Sequence, residues 1–163
     1  MSWTDQPAAD RVQWVAESLN EPQTAHWVAD EADVSPATAR KYLEKLADER
    51  QLRRIENGER TLYSPDHVTQ YLKEVREVYE NHSADELAQS LNEIRTQIES
   101  WETTYDVTTP NALRATIATV DHGEAEQRRD IAIEWDHVET RLDIIEDALK
   151  LYDRFPDNRQ VVA

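Results

Sequence analysis

Seven basic side chains (Arg40, Lys41, Lys45, Arg50, Arg53, Arg54 and Arg60) fall between residues 38 and 64, against five acidic ones (Glu44, Asp48, Glu49, Glu56 and Glu59). The rest of the chain runs the other way. Net charge is −16, and residues 65–163 carry ten basic and twenty-two acidic groups. A solvated face is the ordinary use of a charge cluster, but this one opposes the global trend and offers a local seat for an anion. Other chemistries find little support. The chain has no cysteine, which removes thiol nucleophiles, disulfide scaffolds and cysteine-based zinc sites. His26, His67, His82, His122 and His137 show no metal-ligand spacing, and Asp85 and Glu86 beside His82 suit the start of a helix better. There is no glycine-rich phosphate loop or nucleophile motif. Carboxylates are so plentiful that no pair stands out as a catalytic dyad. The expectation is a protein that is not an enzyme and uses neither metal nor cofactor.

The elements that position the basic cluster can be read from caps and breaks. Thr4 or Asp5 is placed to cap a first helix with Pro7 in its first turn, running to about Leu19 with Val12, Val15 and Leu19 buried. Asn20, Glu21 and Pro22 break it. Thr24 caps a short helix with Ala25, Val28, Ala29 and Ala32 on one face. After Asp33 and Val34, Ser35 caps a third helix with Pro36 at its first position and Ala39, Leu43 and Leu46 as its apolar stripe. Arg40, Lys41 and Lys45 then lie on the opposite face, and the helix start offers backbone N–H groups and a positive dipole end to a phosphate. Asn57-Gly58 reads as a two-residue hairpin turn of type I′, pairing Ile55 with Arg60 and Leu52 with Tyr63.

Helix, tight turn, helix, hairpin is the order of a winged helix-turn-helix. The segment TAHWVADEADVSPATARKYLEKLADERQLRRIENGERTLY resembles the ArsR/MarR-like winged helix-turn-helix regulators of archaea, above all the haloarchaeal ones, with VADEADVSPATARKYLEKL closest in wording. The resemblance covers residues 10–65 and is centred on 24–63. It implies a DNA-binding transcriptional regulator with double-stranded DNA as partner, its recognition helix at 35–49 in the major groove and its wing at 52–63 on the flanking backbone. Ser35, Ala37, Thr38, Arg40, Lys41 and Lys45 would then serve the helix, and Arg53, Arg54 and Arg60 the wing. One departure stands out: where such regulators place glycine at the end of the recognition helix, this chain has Arg50 and Gln51. The competing reading is a winged-helix interaction or scaffold module without sequence-specific DNA binding, since fold alone does not prove function.

Beyond Pro65 the pattern is helical throughout, so the expected fold is mainly α: a winged helix-turn-helix over residues 1–66, then a coiled-coil-like helical dimerisation domain over 67–163. Val68, Leu72, Val75 and Tyr79 mark a fourth helix, and Ser83 with Glu86 forms a capping box opening a fifth. The fifth helix carries Leu87, Leu91, Ile94, Ile98, Trp101 and Tyr105. The last carries Ile131, Trp135, Val138, Leu142, Ile145, Leu149 and Tyr152, and both stripes keep heptad spacing. Thr109-Pro110 opens another helix with Leu113, Ile117 and Val120. The short link at 106–109 predicts that it packs antiparallel on the fifth. Whether it runs on through Gly123 is left open by the spacing. The heptad stripes suit a homodimer reading paired half-sites, or an intramolecular bundle that buries the same residues. Trp101 and Trp135 read as core.

Two glycines in 163 residues and the strong acidity fit a folded, salt-adapted surface, as in halophiles, better than disorder. The N-terminus lacks a signal-peptide pattern, no stretch is apolar enough to span a membrane, and a cytoplasmic location is expected. At molar salt little of the phosphate electrostatic contribution should survive, so DNA affinity is expected to rest on direct readout and shape, with a shallow salt dependence. The tail after Phe155, PDNRQVVA, is expected to fray.

Overall fold

The computed structural model describes residues 2–156; the tail from 157 onward lies outside them. It is mainly helical, with a small three-stranded antiparallel sheet of order β1-β3-β2. The chain divides into two compact units, residues 1–72 and 73–163.

In the first unit a 3-10 turn at Trp3–Asp5 precedes α1 (Ala8–Glu17). The helix starts later than the sequence suggests because the Asp5 carboxylate is engaged, accepting the Ser2 N–H at 2.9 Å, and Pro7 becomes the N-cap. It also stops earlier, with the Ser18 hydroxyl donating to the Trp14 carbonyl at 2.7 Å. Val12, Val15, Ala16 and Leu19 are nonetheless buried. Arg11 donates to the carbonyls of Ala32 (2.9 Å), Asp33 (3.2 Å), Thr4 (3.3 Å) and Gln6 (2.5 Å), tying the N-terminal turn to the end of α2.

Thr24 caps α2 (Ala25–Ala32) by accepting the Trp27 N–H at 3.2 Å, and Ser35 caps α3 (Pro36–Asp48) by accepting the Thr38 N–H at 3.1 Å. Between them Asp33 adopts φ 57°. The departure at the end of α3 is resolved by Arg50, which takes φ 63°. The Arg50 N–H reaches the Ala47 carbonyl at 3.0 Å and the Gln51 N–H the Leu46 carbonyl at 2.9 Å, a Schellman ending without glycine.

Strands β2 (Leu52–Asn57) and β3 (Arg60–Pro65) form the hairpin in a register two residues from the expected one: Asn57 pairs with Arg60, Ile55 with Leu62, Arg54 with Tyr63 and Leu52 with Pro65. The loop is Gly58-Glu59, and of its residues only Gly58 has positive φ (68°). That is the sign pattern of a type II′ turn rather than I′. An even shift leaves every side chain on its face. The third strand, β1 (Gln23–Thr24), was not anticipated; two residues give no periodicity to read.

The unit boundary falls inside α4 (His67–Asn81), and its apolar stripe splits there. Val75 and Tyr79 are buried, whereas Val68 and Leu72, before the boundary, are 69% and 59% exposed. In the second unit the Tyr152 ring packs on Tyr79 at 4.8 Å and its hydroxyl donates to the Tyr79 carbonyl at 3.0 Å.

Helix α5 (Ala84–Tyr105) opens on the Ser83–Glu86 box, with the Glu86 N–H donating to Ser83 Oγ at 3.1 Å and the Ser83 N–H to Glu86 Oε1 at 3.3 Å. This holds the Glu86 carboxyl below its usual range, the Ser83 backbone bond being the largest cause. Thr109 caps α6 (Pro110–Ala115), a 3-10 turn follows at Ile117–Thr119, and Asp121 caps α7 (His122–Arg154). The chain therefore breaks just before His122, and Gly123 sits within the first turn of α7. At 33 residues α7 is about 50 Å long.

The expected pairing of α5 with the helix that follows it is replaced. Helices α5 and α6 both pack on α7. Arg95 meets Glu146 at 3.2 Å and Trp101 meets Trp135 at 5.6 Å, so α5 and α7 run antiparallel. A long helix offers more apolar surface than the six-residue α6, and it takes both neighbours. Trp101, Leu113, Ala132 and Trp135 form the core there. Of the heptad residues, Leu87, Trp101, Trp135 and Ile145 are buried within the chain. Leu91, Ile94, Ile98, Ile131, Val138, Leu142 and Leu149 are only half-buried.

Candidate nucleic-acid interface

Helix α3 buries Ala39, Leu43 and Leu46 against the first-unit core and turns two rows outward. Helical spacing puts Arg40, Glu44 and Asp48 in one row and Ala37, Lys41 and Lys45 in the next. The first row faces the hairpin. Arg54 of β2 donates from Nε to Glu44 Oε2 at 2.7 Å, from Nη2 to the Glu44 carbonyl at 3.2 Å, and from Nη2 to Asp48 Oδ1. Its pKa is raised, first by Asp48 and then by Glu44. Beside it the Tyr63 hydroxyl donates to Glu44 Oε1 at 2.5 Å. Burial foremost, and that bond next, push the Tyr63 phenol up to about 12.

Arg54 is therefore placed differently from the other predicted cations. It is committed to the fold, and it covers two carboxylates that would otherwise stand bare beside Arg40 and Lys45. By the pleat, Arg53 and Arg60 lie on the opposite face of the hairpin from Arg54 and Tyr63. The side chains of Arg40, Lys45, Arg50, Arg53 and Arg60 have no hydrogen bond or ion pair among the described residues, and that of Lys41 only lies over the Tyr42 ring at 5.3 Å.

The N-terminus of α3 is less open than its sequence implies. Pro36 has no N–H, the Thr38 N–H is taken by Ser35, and the Ser35 hydroxyl donates to Thr38 Oγ1 at 2.8 Å. The Ala37 N–H is the first-turn donor left for an anion. Pro36, Ala37, Arg40 and Lys41 line a shallow exposed depression at this end. A second hollow of about 410 Å³ gathers Arg40 from α3, Arg60 from β3 and His26 from α2, with Tyr63 and Glu44 on its wall. His26 was not singled out from sequence. Its signal is its place one residue into a helix capped by Thr24, which becomes informative only once β3 is known to pack there.

Among the described residues no three His, Cys, Asp or Glu side chains converge to hold a metal ion, and no helix is long and apolar enough to cross a membrane. An exposed, locally positive surface on one helix and one hairpin marks the first unit, and a long helix the second. The chain belongs to the family of unknown function DUF7342, which it matches over residues 6–154. No curated protein and no solved structure shows significant similarity to it.

Proposed function

We propose that this chain is a DNA-binding transcriptional regulator of the winged helix-turn-helix kind, in which α2 and α3 form the helix-turn-helix and β2–β3 the wing. The observation that carries the reading is the run of unpaired cations on α3 and the hairpin of a protein with net charge −16. Lys41 and Lys45, in the outer row, and Ala37, small enough for close approach, meet the bases of the major groove. Arg40, at the edge of α3 nearest the hairpin, works with Arg60 on the neighbouring phosphates, and Arg53 extends the contact along the backbone. Arg54 serves indirectly, by keeping Glu44 and Asp48 from repelling the duplex. The acidic remainder suits work in concentrated salt, where such repulsion is screened.

The regulator acts as a homodimer. Support comes from Leu91, Ile94, Ile98, Val138, Leu142 and Leu149, which stay half-buried after α5 and α7 have packed and so retain apolar surface for a second copy. Sedimentation at high salt should give a dimer at micromolar concentration; a monomer there removes this part of the proposal.

The decisive test is genome-wide recovery of bound fragments followed by binding to the enriched sequence. The double variant Arg40→Ala/Lys41→Ala should weaken specific binding by roughly 10- to 100-fold, the order expected for losing base and phosphate contacts together. Wild-type protein that enriches no sequence, or a double variant that binds as well as wild type, would return the module to protein interaction alone.

A further inference from the structure

Of the five tryptophans, two are buried in the second unit and Trp3 is half-buried, but Trp14 and Trp27 are 62% and 39% exposed. They flank one cleft of about 370 Å³ between the end of α1 and α2, floored by Val15 and Leu19 and rimmed by Glu21 and Glu31. The Trp14 ring is held edge-on by Trp3 at 5.4 Å, and Trp27 sits in the first turn of α2, its backbone N–H donating to Thr24 Oγ1 at 3.2 Å. None of these residues belongs to the basic surface, so the proposed function makes no use of the cleft.

Two large aromatic faces left in solvent beside an apolar floor are what interface hot spots are made of. The electrostatics choose the occupant. Indole faces carry negative quadrupole charge, the end of α1 presents the negative pole of its dipole, and the Glu31 carboxylate has no hydrogen bond or ion pair among the described residues. All three attract a cation. A second copy of this surface is disfavoured for the same reason, since a self-complementary contact would bring one acidic rim, Glu21 and Glu31, against the same rim of the other copy. Between the two cationic side chains, a planar guanidinium stacks on indole and forks onto carboxylate, which an ammonium cannot do.

We propose that the Trp14–Trp27 cleft docks an arginine-bearing segment of a protein partner. The guanidinium stacks on the indoles and pairs with Glu31, and flanking apolar residues of the segment rest on Val15 and Leu19. For a DNA-bound protein this gives a second surface through which another protein can be held.

The test follows the indole N–H signals of the ¹⁵N-labelled full chain, assigned with Trp14→Phe and Trp27→Phe, in potassium chloride at a concentration where melting confirms the fold. The probe is a capped hexapeptide, Gly-Arg-Gly-Leu-Arg-Gly, against the same peptide with both arginines replaced by glutamine. The arginine peptide should shift the Trp14 and Trp27 signals saturably and leave Trp101 and Trp135 still. Trp27→Ala should weaken it about two- to fivefold, the worth of one exposed cation–π contact. Glu31→Gln, a surface change that leaves the fold alone, should weaken it by a similar factor. The proposal is overturned by an absence of shifts, by equal shifts with the glutamine peptide, or by equal shifts with guanidinium chloride at the same concentration, which would make it a free-cation site. Shifts that follow protein concentration without peptide would overturn it in favour of self-association.

Discussion

The two units treat their positive charge in opposite ways. Among the described residues the second unit has nine basic side chains, and five of them (Arg76, Arg95, Arg114, Arg128 and Lys150) sit on carboxylates. The first unit has eight, and Arg54 alone does so. Shortage is not the reason, because Glu44, Asp48, Glu49, Glu56 and Glu59 lie among the first unit's cations. Exposed ion pairs contribute little to stability, so their distribution mainly records where positive charge is masked and where it is left available. It is masked more often in the second unit and left available on α3 and the hairpin.

The largest effects should come from the cores that carry the two surfaces. Trp135→Ala empties the centre of the α5–α6–α7 packing and Leu43→Ala the centre of the first unit; both residues are fully buried. Each should cost about 3–5 kcal/mol, read as a loss of denaturation midpoint. Only Leu43→Ala should disturb hydrogen-exchange protection of α2 and α3. Equal loss of protection across both units after either change would break the comparison.

Arg54→Met comes next. It should weaken binding to DNA even though Arg54 is already engaged by α3, because it removes the cation that covers Glu44 and Asp48. Adding Glu44→Gln should restore much of that binding while the Tyr63 hydroxyl keeps an acceptor. Recovery absent in the double variant would assign Arg54 to direct contact instead.

A smaller effect is expected at alkaline pH. Because the Tyr63 pKa is raised in the folded state, the phenol is neutral in folded and unfolded chains alike below about 10, and stability there is complete. Above that the unfolded chain ionises first, and stability falls as pH rises through about 12. Melting of Tyr63→Phe should decline less between those values than melting of the wild type. Parallel declines would show that burial and Glu44 do not hold the proton.

The smallest effect should be at Arg50. Its φ of 63° suits glycine, so Arg50→Gly should change stability by less than about 1 kcal/mol, upward if relief of the left-handed conformation exceeds the added entropy of the unfolded chain. Arg50→Val should melt lower than wild type.

What could be read from the sequence was local. Thr24, Ser35, Ser83 and Thr109 cap where expected, since a cap is decided within four residues. The bounds of α5 follow from its box and its heptads. What escaped depends on partners far along the chain. Arg54 reads as one more cation of a basic cluster until the hairpin register sets it beside Glu44 and Asp48. The short link after α5 suggested the wrong neighbour because the apolar face of α7, which takes both helices, lies further on. Val68 and Leu72 fit a buried stripe in spacing, but they precede the point at which α4 passes into the second unit, and they stay exposed. The hairpin was anticipated, but its turn lies one residue further on, at Gly58-Glu59, and is of another type, because Asn57 can adopt the conformation it was expected to hold and does not.

That turn has a further consequence. Beyond its two chain neighbours nothing lies within 4 Å of where a β-carbon on Gly58 would sit, so the position disfavours L side chains by handedness and not by size. A D-alanine placed there by chemical synthesis should be accommodated where L-alanine is strained. The tip of the hairpin is thus open in space but selective in handedness, and a mirror-image side chain should sit there with less strain than its L counterpart.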